Sequence, residues 1–213
     1  MVLTGRQQQI LDASLQVIDQ NGLRGFTMRN IAQRIGFTDA ALYRHFSDKG
    51  AILEALALQF QSTTLENLDE IRSTPGINAL QRLKLFLMGR AIAFQSNRPM
   101  TSMLFAEELF RGEGVALNLN TITRETHAYQ LQQVVLEGQA DGSIRADLPA
   151  QHLVMMMMGG MRLMVTTWKT LDELKAQGHP TSLVATVEAF WKTFEKLTCN
   201  PTPQSTPNLR IFP

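Results

Sequence analysis

Polar and basic side chains are concentrated in a short stretch near the N-terminus, and their chemistry suits the surface of duplex DNA. Tyr43, His45 and Lys49 are hydrogen-bond donors at spacings suited to flanking phosphates. Arg44 can pair with guanine, and the carboxylate of Asp39 can accept a hydrogen bond from the amino group of cytosine. The alternative is an ordinary helical hairpin whose polar face is only solvated.

Two short helices between residues 26 and 46 would carry these side chains. Thr27 is a good N-cap for the first helix, because its hydroxyl can accept from the free amides of the first turn. Gly36 ends that helix, since glycine adopts the left-handed cap conformation at little cost. Thr38 can cap the second helix, and small residues at its start let the helix approach base edges. Two capped helices joined by a glycine turn describe a helix-turn-helix.

The stretch resembles the DNA-binding domain of the TetR family of bacterial transcriptional regulators, and the resemblance is specific over residues 6 to about 56. The matching residues are Gly22, Gly25, Phe26, Thr27, Arg29, Ile31, Ala32, Ile35, Gly36, Leu42, Tyr43, Arg44, His45, Phe46, Lys49 and Leu53. The resemblance implies a homodimer whose second motif helix enters the major groove of double-stranded DNA. The DNA-binding residues that we predict are Thr27, Arg29, Thr38, Asp39, Ala40, Tyr43, Arg44, His45 and Lys49.

Composition places few limits on this hypothesis. The formal net charge of the 213 residues is only +1, so charge alone does not indicate DNA binding. The single cysteine, Cys199, excludes an intrachain disulfide and a zinc cluster built from cysteine pairs. The N-terminus lacks the apolar core of a signal peptide, and the most apolar run, residues 153–161, is shorter than the ~20 residues that span a membrane. We therefore expect a cytoplasmic protein without a membrane partner.

Apolar residues recur at helical spacing along the whole chain, and no strand-like alternation of useful length interrupts them. The pattern predicts an all-α fold of about nine helices, with a three-helix helix-turn-helix domain followed by a helical bundle. We expect Ser47 to cap a long helix that connects the two. The predicted units are a DNA-binding domain at 1–47, an effector-binding and dimerisation domain at 48–199, and a Pro-rich tail at 200–213.

A helix predicted at about 115–137 has a half-polar stripe, which a closed core would not bury without hydrogen-bond partners. A cavity for an amphipathic effector would supply those partners, and the methionine-rich run at 155–161 would give it adaptable walls. Plain core packing is the alternative for the methionines, and Arg162 can instead reach solvent. The predicted ligand-binding residues are Phe94, Met103, Glu107, Thr126, Tyr129, Gln133, Met158 and Arg162.

The family resemblance also implies that the last two long helices, around residues 152–197, pair with their symmetry mates in a four-helix arrangement. A two-fold dimer would place two DNA-binding heads about one helical turn apart, ~34–36 Å, on a palindromic operator. The predicted contacts are Trp168, Val184, Val187, Phe190, Trp191 and Phe194.

Enzyme classes find little support in the sequence. It has no phosphate-binding, nucleophile-elbow, zinc-protease or dinucleotide-binding motif, and its four histidines are scattered without metal-ligand spacing. We therefore predict no catalytic residue, no metal and no cofactor. The hypothesis is a repressor that a small apolar or amphipathic molecule releases from DNA. The alternatives are an activator, a ligand-independent DNA-binding protein of the same fold, and a helical small-molecule carrier.

Overall fold

The computed structural model describes residues 3–106, 117–173 and 182–199, and every regular element in those ranges is helical. A short 3-10 turn occupies Leu23–Gly25. The nine α-helices of the described ranges confirm the all-α prediction. They are α1 Gly5–Asn21, α2 Met28–Arg34, α3 Asp39–Tyr43, α4 Lys49–Ser73, α5 Ala79–Ser96, α6 Arg98–Leu104, α7 Leu117–Asp141, α8 Ala150–Glu173 and α9 Leu183–Thr198.

The two helices of the motif begin where their threonines predict. The Thr27 hydroxyl accepts from the amide of Asn30 at 3.2 Å, and the Thr38 hydroxyl accepts from the amide of Ala41 at the same distance. Gly36 has a φ of +69°, so it takes the left-handed conformation that the turn between α2 and α3 requires. Local capping and one glycine therefore determine the geometry of the helix-turn-helix.

The N-cap of α4 lies one residue later than the sequence predicted. Asp48, not Ser47, is the N-cap, and its Oδ1 accepts from the Ala51 amide at 2.8 Å. A carboxylate at this position also interacts favourably with the positive end of the helix dipole. The helix then runs without a break to Ser73, so it passes from the N-terminal part of the chain into the bundle.

Two separate hydrophobic cores divide the structure. The head core is built by α1, α2 and α3, and it extends beyond residue 47 because Ile52, Leu53 and Leu56 of α4 are fully buried in it. The body core combines buried side chains of α4, α5, α7, α8 and α9. We refer to these two units as the head and the body.

The short helix α6 takes part in both units. Met103 is fully buried in the head core, and Met100 packs against that core from the same helix. Leu104, one residue further on, packs against both cores. Asn97 caps α6, and Pro99 lies in its first turn, where the missing amide of proline costs no hydrogen bond.

Two predictions fall outside the described residues. They concern the Pro-rich tail at 200–213 and Glu107. For the ranges 3–106, 117–173 and 182–199, no helix has the length and apolar character that crossing a bilayer requires.

The turn between α2 and α3 allows a direct test of the left-handed glycine. In Gly36→Ala, we expect the free energy of unfolding to fall by about 1–2 kcal/mol, because an L-residue strains in this conformation. Gly89 is the matched control, since it is an exposed glycine inside α5, and a β-carbon at either glycine would meet no atom within 4 Å. Gly89→Ala should therefore stabilise the protein by about 0.5–1 kcal/mol. Urea denaturation of both variants measures this difference, and equal effects would rule out strain at Gly36.

Candidate functional site

The outer face of the helix-turn-helix follows from what its helices bury. Ile31 of α2 and Leu42 of α3 are completely buried in the head core, and Phe46 packs there as well. The opposite side of α3 is therefore exposed, with Tyr43 at 51% of its maximal exposure and Arg44 beside it in the chain. This face offers an aromatic hydroxyl and a guanidinium to a partner.

The structure leaves most of the predicted DNA-binding side chains accessible. His45 and Lys49 are half-buried, and Lys49 is the first residue of α4. Thr27 and Thr38 accept from helical amides, but each hydroxyl keeps its own proton to donate to a phosphate. The exposed members of the set are Thr27, Arg29, Thr38, Asp39, Ala40, Tyr43 and Arg44.

One basic side chain of the motif has a structural role instead. The guanidinium of Arg34 donates to Gln16 and to Gln20 of α1, both at 2.9 Å. These two hydrogen bonds connect the end of α2 to the supporting helix.

A cavity of about 500 Å³ lies in the body between α4, α5, α7 and α8. Its volume falls in the ~300–1,000 Å³ range of small-molecule sites. The walls are mostly aromatic and aliphatic, and their apolar members include Phe60, Phe86, Phe94, Leu131, Val154, Met157 and Met158. The polar and charged members are Thr64, Arg90, His127, Gln132, Gln151 and Arg162.

The predicted ligand-binding residues are only partly gathered at this cavity. Phe94, Met158 and Arg162 line it. Met103 does not, because it points into the head core, where it is fully buried. The prediction for Met103 is therefore wrong, and Glu107 lies outside the described residues.

The prediction for α7 is also wrong, because it assigned the inward face to the wrong side of the helix. Tyr129 is 60% exposed, and Thr126 and Gln133 are half-buried but do not line the cavity. One residue along a helix turns the side chain by about 100°. His127 and Leu131 therefore occupy the cavity wall in place of the predicted stripe.

Two buried polar groups give the cavity its electrostatic character. Arg90 of α5 and His127 of α7 are each only 8% exposed. Burial lowers the pKa of Arg90 to about 10, so its guanidinium remains charged at neutral pH. Burial, followed by the positive charge of Arg90, lowers the pKa of His127 to about 4, despite its hydrogen bond to the backbone of Gln61. At neutral pH, these two buried side chains are therefore a cation and a neutral imidazole.

The spacing of Arg90 in the sequence indicates that its side chain faces the interior of the bundle. Leu83, Leu87 and Phe94 form the apolar stripe of α5 at spacings of four and seven residues, and Arg90 lies on the same stripe. A cation within such a stripe faces the interior of a helical bundle. Metal binding finds no comparable support, because no group of three potential ligands occurs in the part of the chain that the structure describes.

The predicted dimer contacts require a correction. Trp168, Val187, Trp191 and Phe194 are buried to 4% exposure or less in the protomer's own core. A side chain that is already buried cannot offer surface to a partner, so these four assignments are wrong. Val184 and Phe190 are half-buried and pack at the edge of the core.

The consecutive glycines of α8, Gly159 and Gly160, face different neighbours. Gly159 lines the cavity. A β-carbon on Gly160 would lie 3.0 Å from the ring of Phe190, so this glycine allows α9 to approach closely. The neighbouring methionines also differ, because Met157 is buried whereas Met156 is 47% exposed.

Comparison with known proteins identifies the head. Residues 10–56 match the family model described as bacterial regulatory proteins, tetR family. This N-terminal part of the chain belongs to the TetR family. The matched range contains α2, α3 and the first turns of α4, together with the part of α1 that packs behind them.

Individual proteins extend the comparison. The class D tetracycline repressor of Escherichia coli is 36% identical over 53 residues, which are 25% of this chain and 24% of the repressor. The chain thus spans about a quarter of that relative's length. The fatty acid degradation regulator FadR of Bacillus halodurans has a TM-score of 0.75 at 21% identity, with 92% of this chain and 97% of that one covered. FadR of Bacillus subtilis, in complex with stearoyl-CoA, has a TM-score of 0.73 at 22% identity over 88% and 96%.

The low pKa of His127 makes a prediction about stability. The unfolded chain protonates this imidazole near its ordinary pKa of 6.5, whereas the folded chain does so only near 4. The unfolded state therefore binds more protons as pH falls through this window, and the free energy of unfolding should drop by up to about 3 kcal/mol. In His127→Gln, urea denaturation between pH 7 and 4 should show a shallower decline. His152→Gln, which alters an exposed histidine, is the control and should match the parent.

Proposed function

We propose that the chain is a sequence-specific transcriptional regulator that acts as a homodimer in the cytoplasm. In this proposal, it represses transcription from a palindromic operator and leaves the DNA when an amphipathic effector fills the cavity. The observation that carries the proposal is the position of α6, whose side chains reach the cavity wall and the head core at once.

The contacts of α6 provide a route between cavity and head. Leu104 lines the cavity and also packs against the head core, while the next residue, Phe105, lines the cavity. The ring of Phe105 meets the ring of Phe94 edge-on, with 5.4 Å between centroids. On the other side of the same helix, Met103 is buried in the head. A guest that displaces Leu104 or Phe105 would therefore shift the helix that holds Met103.

The direction of the response follows from differential affinity. An effector can release the operator only if it binds the DNA-free conformation more tightly than the DNA-bound one, because equal affinity shifts no population. Close-packed cores move between discrete arrangements and do not deform continuously. A displacement of α6 would thus move the head as a unit and change the separation of the two heads in a dimer.

Similar proteins support both repression and the binding of an amphipathic effector. The class D tetracycline repressor, which matches the head, is named as a repressor. The Bacillus subtilis FadR structure holds stearoyl-CoA, an acyl amphipath, and its fold covers nearly all of this chain. These likenesses support repression and an effector with an extended apolar part.

In the DNA complex, we assign different tasks to the exposed residues of the head. Tyr43 and Lys49 contact phosphates, which position the protein without reading sequence. Asp39 and Arg44 read base edges, since a carboxylate accepts from cytosine and a guanidinium donates to guanine. Two-fold symmetry of the dimer repeats these contacts in each half-site.

For the dimer, we propose the outward faces of α8 and α9. Leu163 is 67% exposed and Met156 is 47% exposed, and both lie on the side of α8 that carries Gly160. On α9, the small exposed residues Ala189 and Thr193 flank the half-buried Phe190. An apolar helix face with small residues allows two protomers to pack closely.

A charge at the centre of this face should separate the protomers. In Leu163→Arg, the dimer would bring two like charges together near its axis, and we expect monomers at low micromolar concentration. Sedimentation measures the state directly. Ile92→Arg is the control, because Ile92 is a similarly exposed apolar residue on α5 at 54% exposure. A Leu163→Arg protein that stays dimeric would exclude this face.

The phosphate contacts predict a salt effect. In Lys49→Ala, affinity should weaken for all duplexes alike, and the slope of log affinity against log salt should fall by about one unit per half-site, since each neutralised phosphate releases a counterion. Lys84→Ala removes an exposed cation from α5 and should leave the slope unchanged. Fluorescence anisotropy with a duplex selected from a random pool provides the measurement. An unchanged slope in Lys49→Ala would falsify the assignment of Lys49.

A further inference from the structure

The cavity contains a positive charge whose surroundings are almost entirely hydrocarbon. The guanidinium carbon of Arg90 lies 4.3 Å from the ring centroid of Phe60 and 4.9 Å from that of Phe94. Within residues 3–106, 117–173 and 182–199, no carboxylate forms an ion pair or a hydrogen bond with it. Contacts with aromatic faces offset only part of the solvation that a buried ion loses.

A second polar atom in the same wall also lacks a partner. The Nε2 atom of His127 is buried and forms no hydrogen bond, although the ring interacts with the backbone of Gln61. The His127 ring contacts the edge of Phe60, with 6.4 Å between centroids, so the imidazole and the Arg90 guanidinium share one aromatic neighbour. The positive charge of Arg90 acts on His127 directly. The buried Nε2 atom of His127 and the guanidinium of Arg90 thus lie close together in the cavity wall.

The side chains that face Arg90 and His127 from other helices do not neutralise the charge of Arg90. From α4, the lining residues are Ala57, Phe60 and Thr64, and the Thr64 hydroxyl already donates to the Phe60 carbonyl. From α8, the ionisable lining residue is Arg162, whose guanidinium carbon lies 6.0 Å from the centroid of Phe105. Every ionisable side chain among the described lining residues is therefore a cation or an imidazole.

We infer that the effector is a carboxylate with an extended hydrocarbon chain, whose carboxylate binds between Arg90 and His127 inside the cavity. This inference rests on the proposed function for the identity of the cavity as the effector site. One carboxylate oxygen accepts from the Arg90 guanidinium. The other accepts from Nε2 of His127, which takes up a proton from solvent because the bound anion offsets the charge of Arg90. The hydrocarbon chain extends along the apolar wall towards Met158.

The bound carboxylate gives Arg90 an anionic partner and gives Nε2 of His127 a hydrogen-bond acceptor. Charge-assisted hydrogen bonds of this kind are roughly twice as strong as neutral ones, and the surrounding rings exclude water from them. A neutral alcohol or ester of the same chain length would fill the same volume but leave the guanidinium without an anion. Selectivity for the acid over its neutral analogues is therefore the signature of the site.

The test compares dodecanoate with dodecan-1-ol and methyl dodecanoate on the parent protein and its variants by isothermal titration calorimetry. We expect the parent to bind the acid at least tenfold more tightly than either neutral compound at pH 7. In Arg90→Met, this preference should disappear while the alcohol binds as in the parent. Arg90→Met should fold, because it removes a buried charge that pairs with no carboxylate among the described residues. Arg90→Lys, which keeps the charge, should retain part of the preference.

Two further measurements test the role of His127 and the burial of the hydrocarbon chain. Affinity of the parent for dodecanoate should rise as pH falls from 8 to 6, and His127→Gln should abolish this dependence. From octanoate to dodecanoate, affinity should rise about fourfold for each added methylene, as burial of hydrocarbon predicts. Equal affinity for acid and alcohol in the parent, or a preference that persists in Arg90→Met, would overturn the inference.

The same samples separate this inference from the proposed function. If dodecanoate binds through Arg90 but leaves affinity for the selected duplex unchanged, the carboxylate site stands and the proposed regulation fails. If the protein binds DNA specifically but shows no preference for the acid, the regulator stands and the carboxylate site fails.

Discussion

The structure depends most on a single helix that two cores share. The seven residues of α6 place Met103 in the head core and Leu104 against both cores. Because protein interiors are packed at crystal-like density, neither core can change its shape on that side without moving α6. The head and the body are thus two units with a common wall, and the cavity that borders this wall is placed to influence the exposed face of the helix-turn-helix.

The cavity itself is an arrangement that a purely structural core would avoid. Arg90 retains its charge in a wall of phenylalanine and methionine side chains, and His127 keeps an unsatisfied nitrogen beside it. Natural cores rarely leave such groups unpaired, because each costs free energy that a hydrophobic residue would not. This polar pair gives the body a chemical specificity that its apolar walls alone would lack.

Local signals made the head predictable from sequence. Thr27, Thr38 and Gly36 act through their own neighbouring backbone, so their effect does not depend on the rest of the fold. The body was less predictable, because α7 has polar residues on several sides and its inward face depends on packing against other helices. A shift of one residue exchanged Thr126 for His127 in the predicted wall.

The dimer residues were misassigned for a related reason. The strongest apolar stripe of α9, which carries Val187, Trp191 and Phe194, is buried by the protomer itself. The surface left for a partner consists of weaker features, such as small residues on α9 and Leu163 on α8. Hydrophobic periodicity alone does not distinguish an internal core from an intermolecular one.

The central claim is that α6 couples the cavity to the head. The test is the ratio of two affinities for the selected duplex, one measured without a cavity ligand and one with a saturating cavity ligand. The ligand is chosen by thermal shift, with dodecanoate as the first candidate. In Met100→Ala, which loosens α6 from the head core, the ratio should move towards one, while each ligand still binds alone. Met28→Ala, which alters another half-buried methionine of that core on α2, should keep the parent's ratio. An unchanged ratio in Met100→Ala would contradict the coupling through α6.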